Sequence, residues 1–323
     1  MKIYNWGIIG CGKIAHKFAN DLKGVPRANL CAVASRKEEK AKEFYEMYRA
    51  DHYFGDYQKL MACDAVDIIY IATPHVFHYE QTLQCLQYKK AVLCEKPFGM
   101  NCEQVRKMIT VAKEQNVFLM EALWTHFLPH YQEILTLVNE GKLGTIRELK
   151  ADFGFKANPV LAPRIFEKNL GGGSLLDVGI YPLFAALTLL GYPVDISAKA
   201  QFSKNDIDLK CSMTLYYPNN VKAYLTSAVN EETPTELQIK LDKGTITAHT
   251  RFHEPTSITV FKNNKSKTTD YPQDFNGYQY EAIHVQNMLD RNVKESNIMT
   301  FEKSLQLMKL LDEVRLKIGL SYP

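Results

Sequence analysis

The sequence lacks a marked excess of charge of one sign. Its net charge is +3, with 39 basic and 36 acidic residues that form no long block of like charge. A balanced surface of this kind does not predict binding to nucleic acid or to anionic membranes. We therefore expect a small molecule as the partner, and neither nucleic acid nor a membrane.

Paired cysteine motifs are also missing. The chain has seven cysteines but no C-x-x-C spacing, and most of them stand in apolar segments. This pattern predicts buried, reduced thiols rather than a disulfide framework or a zinc site, so we expect no metal. No basic and then apolar leader precedes the first strand, and a cytoplasmic location is expected on that ground.

Long uninterrupted apolar runs are missing as well. The longest candidate, residues 178–194, is broken by Tyr181, Pro182, Thr188 and Gly191. A span across the hydrocarbon core of a membrane needs about 20 predominantly apolar residues. The segment therefore predicts a buried core helix.

A glycine pattern directly after an apolar run is the most informative feature that is present. Gly10 permits a tight turn out of the first strand, Gly12 leaves room for a pyrophosphate, and Ala15 lets the next helix pack closely. The unpaired N–H groups at the start of that helix suit phosphates. The predicted dinucleotide contacts are Gly10, Cys11, Gly12, Lys13 and Ile14.

Strand and helix patterns alternate from residue 3 to about residue 120. This alternation predicts a parallel sheet with helices on both faces, the Rossmann arrangement. From residue 146 onward, strand-like runs follow one another around a single long helix, which predicts an open, mostly antiparallel sheet. The predicted fold is α/β, with a dinucleotide-binding domain over 1–121. An α+β substrate-binding and dimerisation domain covers 122–323, and its last helix braces the first domain.

The end of the second strand predicts which dinucleotide is bound. An acidic residue about 20 positions after the glycine pattern would select NAD, but Ser35 and Arg36 stand there instead. A hydroxyl and a guanidinium suit a 2′-phosphate, so NADP is predicted, with NAD possible. The alternative is a solvated basic loop with no cofactor role.

The buried strand over 66–72 is followed by four residues that should line the same crevice. Ligands of open α/β sheets bind at the carboxyl ends of the strands, and further cofactor contacts are therefore predicted here. For the two histidines, capping or surface roles remain open. The predicted residues are Ala72, Thr73, Pro74, His75 and His78.

The tripeptide Glu95-Lys96-Pro97 follows a short strand. With the N-terminal glycine pattern, it resembles the Gfo/Idh/MocA oxidoreductase family. The resemblance implies that Lys96 lies beside the nicotinamide and the substrate, that Glu95 contacts the cofactor, and that a cis peptide precedes Pro97. Residues 120–127, 171–181 and 310–323 are similar to the family's dihydrodiol- and xylose-dehydrogenase subgroup, except that His126 stands where arginine is expected.

Hydride transfer to a carbonyl requires a proton donor for the developing alkoxide. Members of this subgroup have a tyrosine at the position of Tyr181, which we assign as the acid/base. A free tyrosine has a pKa of about 10, and the ammonium of Lys96 would lower it and bind the reacting oxygen. Asp177, four residues earlier on the same helix face, would orient the substrate or the lysine. The alternatives are a core tyrosine, a surface lysine and a carboxylate that only favours a helix start.

Four further residues are candidates for substrate contact. Aromatic side chains at such positions are often simply part of the core. Trp124 has the strongest claim, because its segment is expected to enter the crevice. The set is Trp124, Phe155, Arg164 and Tyr280.

The function predicted from these residues is hydride transfer between NADP and a carbinol or carbonyl carbon of a sugar or a trans-dihydrodiol. One alternative is aldose oxidation at the anomeric carbon, which gives a lactone. The other is a non-catalytic sensor of sugars and dinucleotides on the same fold. In the resembled family the open sheet forms a dimer, and a homodimer through the C-terminal sheet is expected.

Replacing Arg36 by alanine tests the cofactor prediction. Loss of the guanidinium should raise the dissociation constant for NADP roughly tenfold or more, because a charge-assisted contact to the 2′-phosphate is lost. Affinity for NAD, which lacks that phosphate, should change little. Fluorescence titration with both cofactors measures the two constants, and equal weakening of both would contradict the assignment.

Overall fold

The computed structural model describes residues 2–323, which divide into two compact units. The first contains the chain up to Phe127 together with Asp274–Leu305, and the second contains Leu128–Gln273 and Gln306–Pro323. From the sequence, the first domain is predicted to end at residue 121, with the rest of the chain in the second. The first unit instead extends to Phe127 and also includes the later segment Asp274–Leu305.

The first unit is built on a six-stranded parallel sheet in the order β3-β2-β1-β4-β5-β6. The apolar runs that predicted strands are buried on both faces, as at Ile68–Ile71, because helices cover both sides. The elements are β1 (Tyr4–Ile9), α1 (Lys13–Leu22), β2 (Ala28–Ala34), α2 (Glu38–Tyr48), β3 (His52–Phe54), α3 (Tyr57–Met61), β4 (Ile68–Ile71), α4 (His78–Gln87), β5 (Ala91–Glu95), α5 (Cys102–Gln115) and β6 (Leu119–Ala122).

The strand order reverses between β1 and β4, which are hydrogen-bonded neighbours with Ile9 opposite Ile71. In open parallel sheets, ligands bind at the carboxyl ends of the strands where the order reverses. The glycine pattern and residues 72–75 leave the sheet at this point, so the fold brings the two predicted cofactor segments together.

The second unit contains an eight-stranded sheet in the order β14-β13-β12-β11-β7-β10-β9-β8. Every described pair in it is antiparallel except β7 with β10. The predicted fold class is confirmed. The elements are α6 (Pro129–Asn139), β7 (Ile146–Gly154), α7 (Ile180–Leu190), β8 (Asp195–Phe202), β9 (Asp208–Tyr216), β10 (Lys222–Ala228), β11 (Leu237–Leu241), β12 (Gly244–Ala248), β13 (Ile258–Lys262) and β14 (Lys265–Thr269).

The burial pattern of this sheet follows the strand period of two. In β10, Ala223 and Leu225 are buried while Tyr224 between them is exposed. Helix α7 packs on the buried face. The edge strand β14, which the sequence analysis missed, is almost entirely polar and exposed, so it carries no apolar signal.

The predicted core helix differs from expectation at its start. Residues Leu175–Gly179 form a π turn that leads into α7. Pro182 has no N–H to donate to the Val178 carbonyl, a loss that the wider turn accommodates. The helical run Lys168–Leu190 is long and apolar enough to cross a membrane by composition alone, but 78% of its apolar window is buried in the protein, as in a core helix.

Helix α8 (Tyr278–Asp290) returns the chain to the first unit, and α9 (Phe301–Ile318) follows. The fully buried carboxylate of Asp21 on α1 accepts hydrogen bonds from the backbone N–H groups of Asn276, Gly277 and Tyr278 at 2.9–3.1 Å. It thereby caps the start of α8. At the start of α9, the hydroxyl of Thr300 accepts the N–H of Lys303 at 3.2 Å.

Four cysteines are buried, as expected, but Cys11, Cys63 and Cys102 are only half-buried. No disulfide joins the cysteines within residues 2–323. Over the same residues, no group of three or more histidine, cysteine or acidic side chains is placed to hold a metal ion.

Two imidazoles of the first unit lie in its interior. Burial lowers the pKa of His126 to about 3, with the charge of Lys303 acting in the same direction. Burial also lowers the pKa of His284, to about 4, while its Nε2 lies 2.8 Å from the hydroxyl of Ser296. Both rings are therefore neutral in the native protein at neutral pH.

These imidazoles predict a loss of stability in acid. The folded-state pKa values lie below about 6.5, the value in an unfolded chain, so protons bind preferentially to the unfolded state. The stabilisation is complete above pH 6.5 and should be lost as the pH falls from 6.5 toward 3. Urea unfolding of the wild type and of His126→Gln between pH 4 and 8 measures it. The difference between the two free energies should vary with pH over this window, and a constant difference would contradict the prediction.

Candidate active site

The glycine turn at the end of β1 has the geometry of a phosphate cradle. Gly10 has a φ of +94°, and a Cβ on it would lie 3.0 Å from the backbone carbonyl of Ala72. A Cβ on Gly12, by contrast, would meet no atom within 4 Å. The space above Gly12 and the start of α1 therefore fits a pyrophosphate. Lys13 is exposed and Ile14 is half-buried at this edge.

Cys11 lies between these two glycines. Its thiol contacts the carbonyl oxygen of Ala34 at 3.6 Å. Burial raises the pKa of this thiol to about 12, so it stays protonated at neutral pH. Any cofactor contact it makes is that of a neutral thiol or of its backbone.

The predicted 2′-phosphate residues lie at the end of β2. Ser35 is buried, and its Oγ accepts the backbone N–H of Lys37 at 3.3 Å. Arg36 is exposed, with its guanidinium carbon 5.4 Å from the centre of the Phe77 ring. Tyr57 also hydrogen-bonds to Arg36. Phe77 and Tyr57 carry no motif, and the sequence analysis missed them.

The segment after β4 is packed rather than open. Thr73 donates its hydroxyl to Oε1 of Gln81 at 2.6 Å. His78 is fully buried, with Nδ1 2.8 Å from the carbonyl oxygen of Pro97 and Nε2 2.8 Å from that of Thr73. The prediction that His78 faces the cofactor is corrected here: it joins two loops. Ala72 and His75 are also buried, while Pro74 is half-buried.

The tripeptide 95–97 sits at the carboxyl end of β5. The Lys96–Pro97 peptide is cis, as the family resemblance implied. Glu95 is buried, accepting the hydroxyl of Tyr70 on one carboxyl oxygen and the backbone N–H of Lys96, at 3.1 Å, on the other. We predicted a cofactor contact for Glu95, but its described bonds hold the turn. Lys96 itself is half-buried.

A second buried carboxyl group supports the same turn. Glu121 on β6 accepts the backbone N–H of Phe98 at 3.1 Å and is 2% exposed. Burial raises its pKa to about 7, against the lowering effect of its hydrogen bonds from Ser304 and Phe98 and of the Lys96 charge. The sequence analysis missed Glu121, although a carboxylate at the end of a buried strand is a usable signal.

Two of the predicted substrate contacts, Trp124 and Tyr280, lie in the first unit. Trp124 is 2% exposed, and its ring stacks on Tyr278 with centroids 4.2 Å apart. Tyr280 is half-buried. The described stacking partner of Trp124 is thus Tyr278, and His126 beside it is also buried.

The second unit carries the predicted acid/base. Tyr181 is 6% exposed, in the first turn of α7. Asp177 lies in the π turn and accepts a hydrogen bond from Arg164 at 2.7 Å. We expected an α-helical turn between these residues and a substrate role for Arg164. The turn is wider, and the described contact of Arg164 is to Asp177.

Two further rings surround Tyr181, and the sequence analysis missed both. His253, 3% exposed, lies 4.8 Å from Tyr181 and 4.0 Å from Phe153 between ring centroids. Phe153 is 5.6 Å from Tyr181. The predicted Phe155 is half-buried and 6.2 Å from Phe153. The phenol therefore packs against a phenyl ring and an imidazole.

Comparisons with known proteins agree with this division into units. A model described as an oxidoreductase family with an NAD-binding Rossmann fold matches residues 4–123. A GFO/IDH/MocA C-terminal domain model matches residues 131–247.

Curated relatives match nearly the whole chain. Trans-1,2-dihydrobenzene-1,2-diol dehydrogenase of Xenopus tropicalis is 36% identical, over 98% of this chain and 99% of its own. The Homo sapiens protein of that name is 33% identical, over 98% of each.

Solved structures share the complete fold. A 3-ketoreductase from Actinomadura kijaniata, in complex with NADP and TDP-benzene, superimposes with a TM-score of 0.88 at 26% identity, over 98% of both chains. An aldose-aldose oxidoreductase from Caulobacter crescentus shows the same fold at 0.89 and 23% identity, over 99% of this chain and 98% of its own. The chain therefore belongs to the Gfo/Idh/MocA family of NAD(P)-dependent oxidoreductases.

Proposed function

We propose that this protein transfers a hydride between NADP and a carbinol or carbonyl carbon of a trans-dihydrodiol or a sugar. The observation that carries the proposal is the turn at Glu95–Pro97, which is held by two buried carboxyl groups at the carboxyl end of β5. It presents Lys96 from the same sheet that carries the phosphate cradle at Gly10 and Gly12.

NADP is the cofactor that the first unit fits. Gly12 leaves space at the start of α1, and Arg36 places a guanidinium at the end of β2 where a carboxylate would select NAD. The Actinomadura ketoreductase with this fold was solved with NADP bound. The bound nicotinamide would supply or accept the hydride.

The protein's own residues would handle the proton and the charge. In the reductive direction, the hydroxyl of Tyr181 donates a proton to the developing alkoxide, and in the oxidative direction the phenolate accepts it. Lys96 binds the reacting oxygen and stabilises the negative charge that develops on it. Asp177, held by Arg164, fixes the approach of the substrate hydroxyls.

The same two residue types have been replaced in the Actinomadura ketoreductase. Its solved structures include one variant with a tyrosine changed to phenylalanine and one with a lysine changed to glutamate. The curated relatives are named dehydrogenases of a dihydrodiol. These names favour an enzyme over the sensor considered from the sequence.

A cofactor-reduction assay tests the proposal. We expect absorbance of reduced cofactor to rise with NADP in the presence of a trans-dihydrodiol or a sugar, and Tyr181→Phe to lower kcat about 100-fold because the proton donor is gone. NADP affinity of the variant, measured by fluorescence, should stay within twofold. Release of a lactone from an aldose would support the alternative reaction. Tight NADP binding without turnover of any such substrate would contradict the proposal.

We also propose that the exposed face of the second sheet forms a homodimer. Tyr224 is 39% exposed on this face, opposite Lys150 on β7 and Thr214 on β9, away from the face that α7 covers. Aromatic residues at the centre of a sheet face are typical of subunit contacts. Lys150 and Thr214 beside it are polar, so a dissociated subunit would not expose a wholly apolar surface.

Light scattering after gel filtration tests this assembly. The wild type should show a mass close to twice the 37.0 kDa of one chain. Tyr224→Asp should shift it toward one chain, because the charge would be buried at the interface. Leu316→Asp, at a residue 82% exposed on α9, is the control and should leave the mass unchanged. A monomeric wild type would rule the dimer out.

A further inference from the structure

We propose that Asp208 and Tyr322 are positioning residues for the helix that carries Asp177 and Tyr181. Asp208 accepts two hydrogen bonds and Tyr322 donates one at the glycine-rich run 171–174 and the residue after it, and this run leads directly into the π turn. The inference rests on the proposed function, since it assigns Asp208 and Tyr322 a role only through Asp177 and Tyr181.

Asp208, the first residue of β9, holds the end of the run. Its Oδ2 accepts the hydroxyl of Ser174 at 2.8 Å and the backbone N–H of Leu175 at 2.6 Å. The side chain is fully buried, and burial raises its pKa to about 6 against the lowering effect of these donors. Leu175 is the first residue of the π turn, so the carboxylate serves as the cap of that turn.

The approach of Asp208 to the run leaves no room for a side chain at position 173. Gly173 has a φ of +114°, and a Cβ on it would lie 2.1 Å from Oδ1 of Asp208. Ser174 also lies 2.9 Å from the hydroxyl of Ser227 on β10, oxygen to oxygen. The start of the turn is therefore tied to β9 and β10 at once.

Tyr322 holds the other side of the run. Its hydroxyl donates to the carbonyl oxygen of Gly172 at 2.7 Å, while the Arg315 guanidinium carbon lies 5.6 Å from the centre of its ring. Burial and the nearby charges of Asp208 and Asp177 raise the pKa of Tyr322 well above its usual value. The hydroxyl therefore stays protonated and remains a donor at neutral pH.

Asp208 and Tyr322 affect catalysis by fixing the positions of Asp177 and Tyr181. Asp177 is the third residue of the π turn, and Tyr181 follows within one turn of helix. A misplacement of about 1 Å at reacting groups can cost up to about 100-fold in rate. If the run relaxed, both side chains would move while the cofactor cradle of the first unit kept its own contacts.

Tyr322→Phe is the decisive variant, because it removes one hydroxyl and leaves the ring in place. We expect kcat to fall about fivefold, while the dissociation constant for NADP stays within twofold. Tyr192→Phe is the matched control: it removes a hydroxyl bond to Glu313 in the same unit, beyond the far end of α7, and should leave kcat unchanged. Asp208→Asn, which keeps the shape but weakens the acceptor, should lower kcat in the same way.

A double-mutant cycle separates positioning from a general loss of stability. In the Tyr181→Phe background, the effect of Tyr322→Phe on kcat should be clearly smaller, because the part that acts through Tyr181 is already lost. An undiminished effect in that background, or a wild-type kcat for Tyr322→Phe, would overturn the inference. A wild type that binds NADP but turns over no substrate would instead overturn the proposed function.

Discussion

The presentation of Lys96 depends on buried carboxyl groups that bind main-chain N–H donors. A lysine at the end of a buried strand is useful only if its backbone is fixed and its N–H groups are satisfied. Glu95 binds the N–H of Lys96, and Glu121 on the adjacent strand binds that of Phe98. Tyr70 in turn holds Glu95. Because these acids lie in a low-dielectric interior, each hydrogen bond is strong and its loss is costly.

In the second unit, too, a buried carboxylate, that of Asp208, binds a main-chain N–H. Asp208 binds the N–H at the start of the π turn, as Glu121 binds that of Phe98. In each case a buried acid on one strand fixes the backbone that leads to a side chain with a proposed catalytic role. Side chains other than Lys96, Asp177 and Tyr181 thus fix the backbone at both places.

The sequence predicted the features that have a local cause. The alternation of strands and helices over residues 3–120 was predicted, since the apolar period of each element lies within a few positions. The glycine turn and the cis peptide were predicted from short motifs. The predictions failed where distant residues decide the outcome. His78 was expected to face the cofactor, but only the fold shows that its two nitrogens reach the carbonyls of Thr73 and Pro97. Likewise, nothing near Tyr181 in sequence indicates that His253 packs against it.

The return of the chain to the first unit has a consequence for how the protein is made. The donors that satisfy the buried carboxylate of Asp21 lie at residues 276–278, more than 250 positions later. A ribosome that has released only the parallel sheet has released an unfinished nucleotide-binding unit, because that carboxylate still lacks its partners. The first unit can therefore be completed only after α8 has been synthesised. A chain truncated after the parallel sheet would leave exposed the surface that α8 covers.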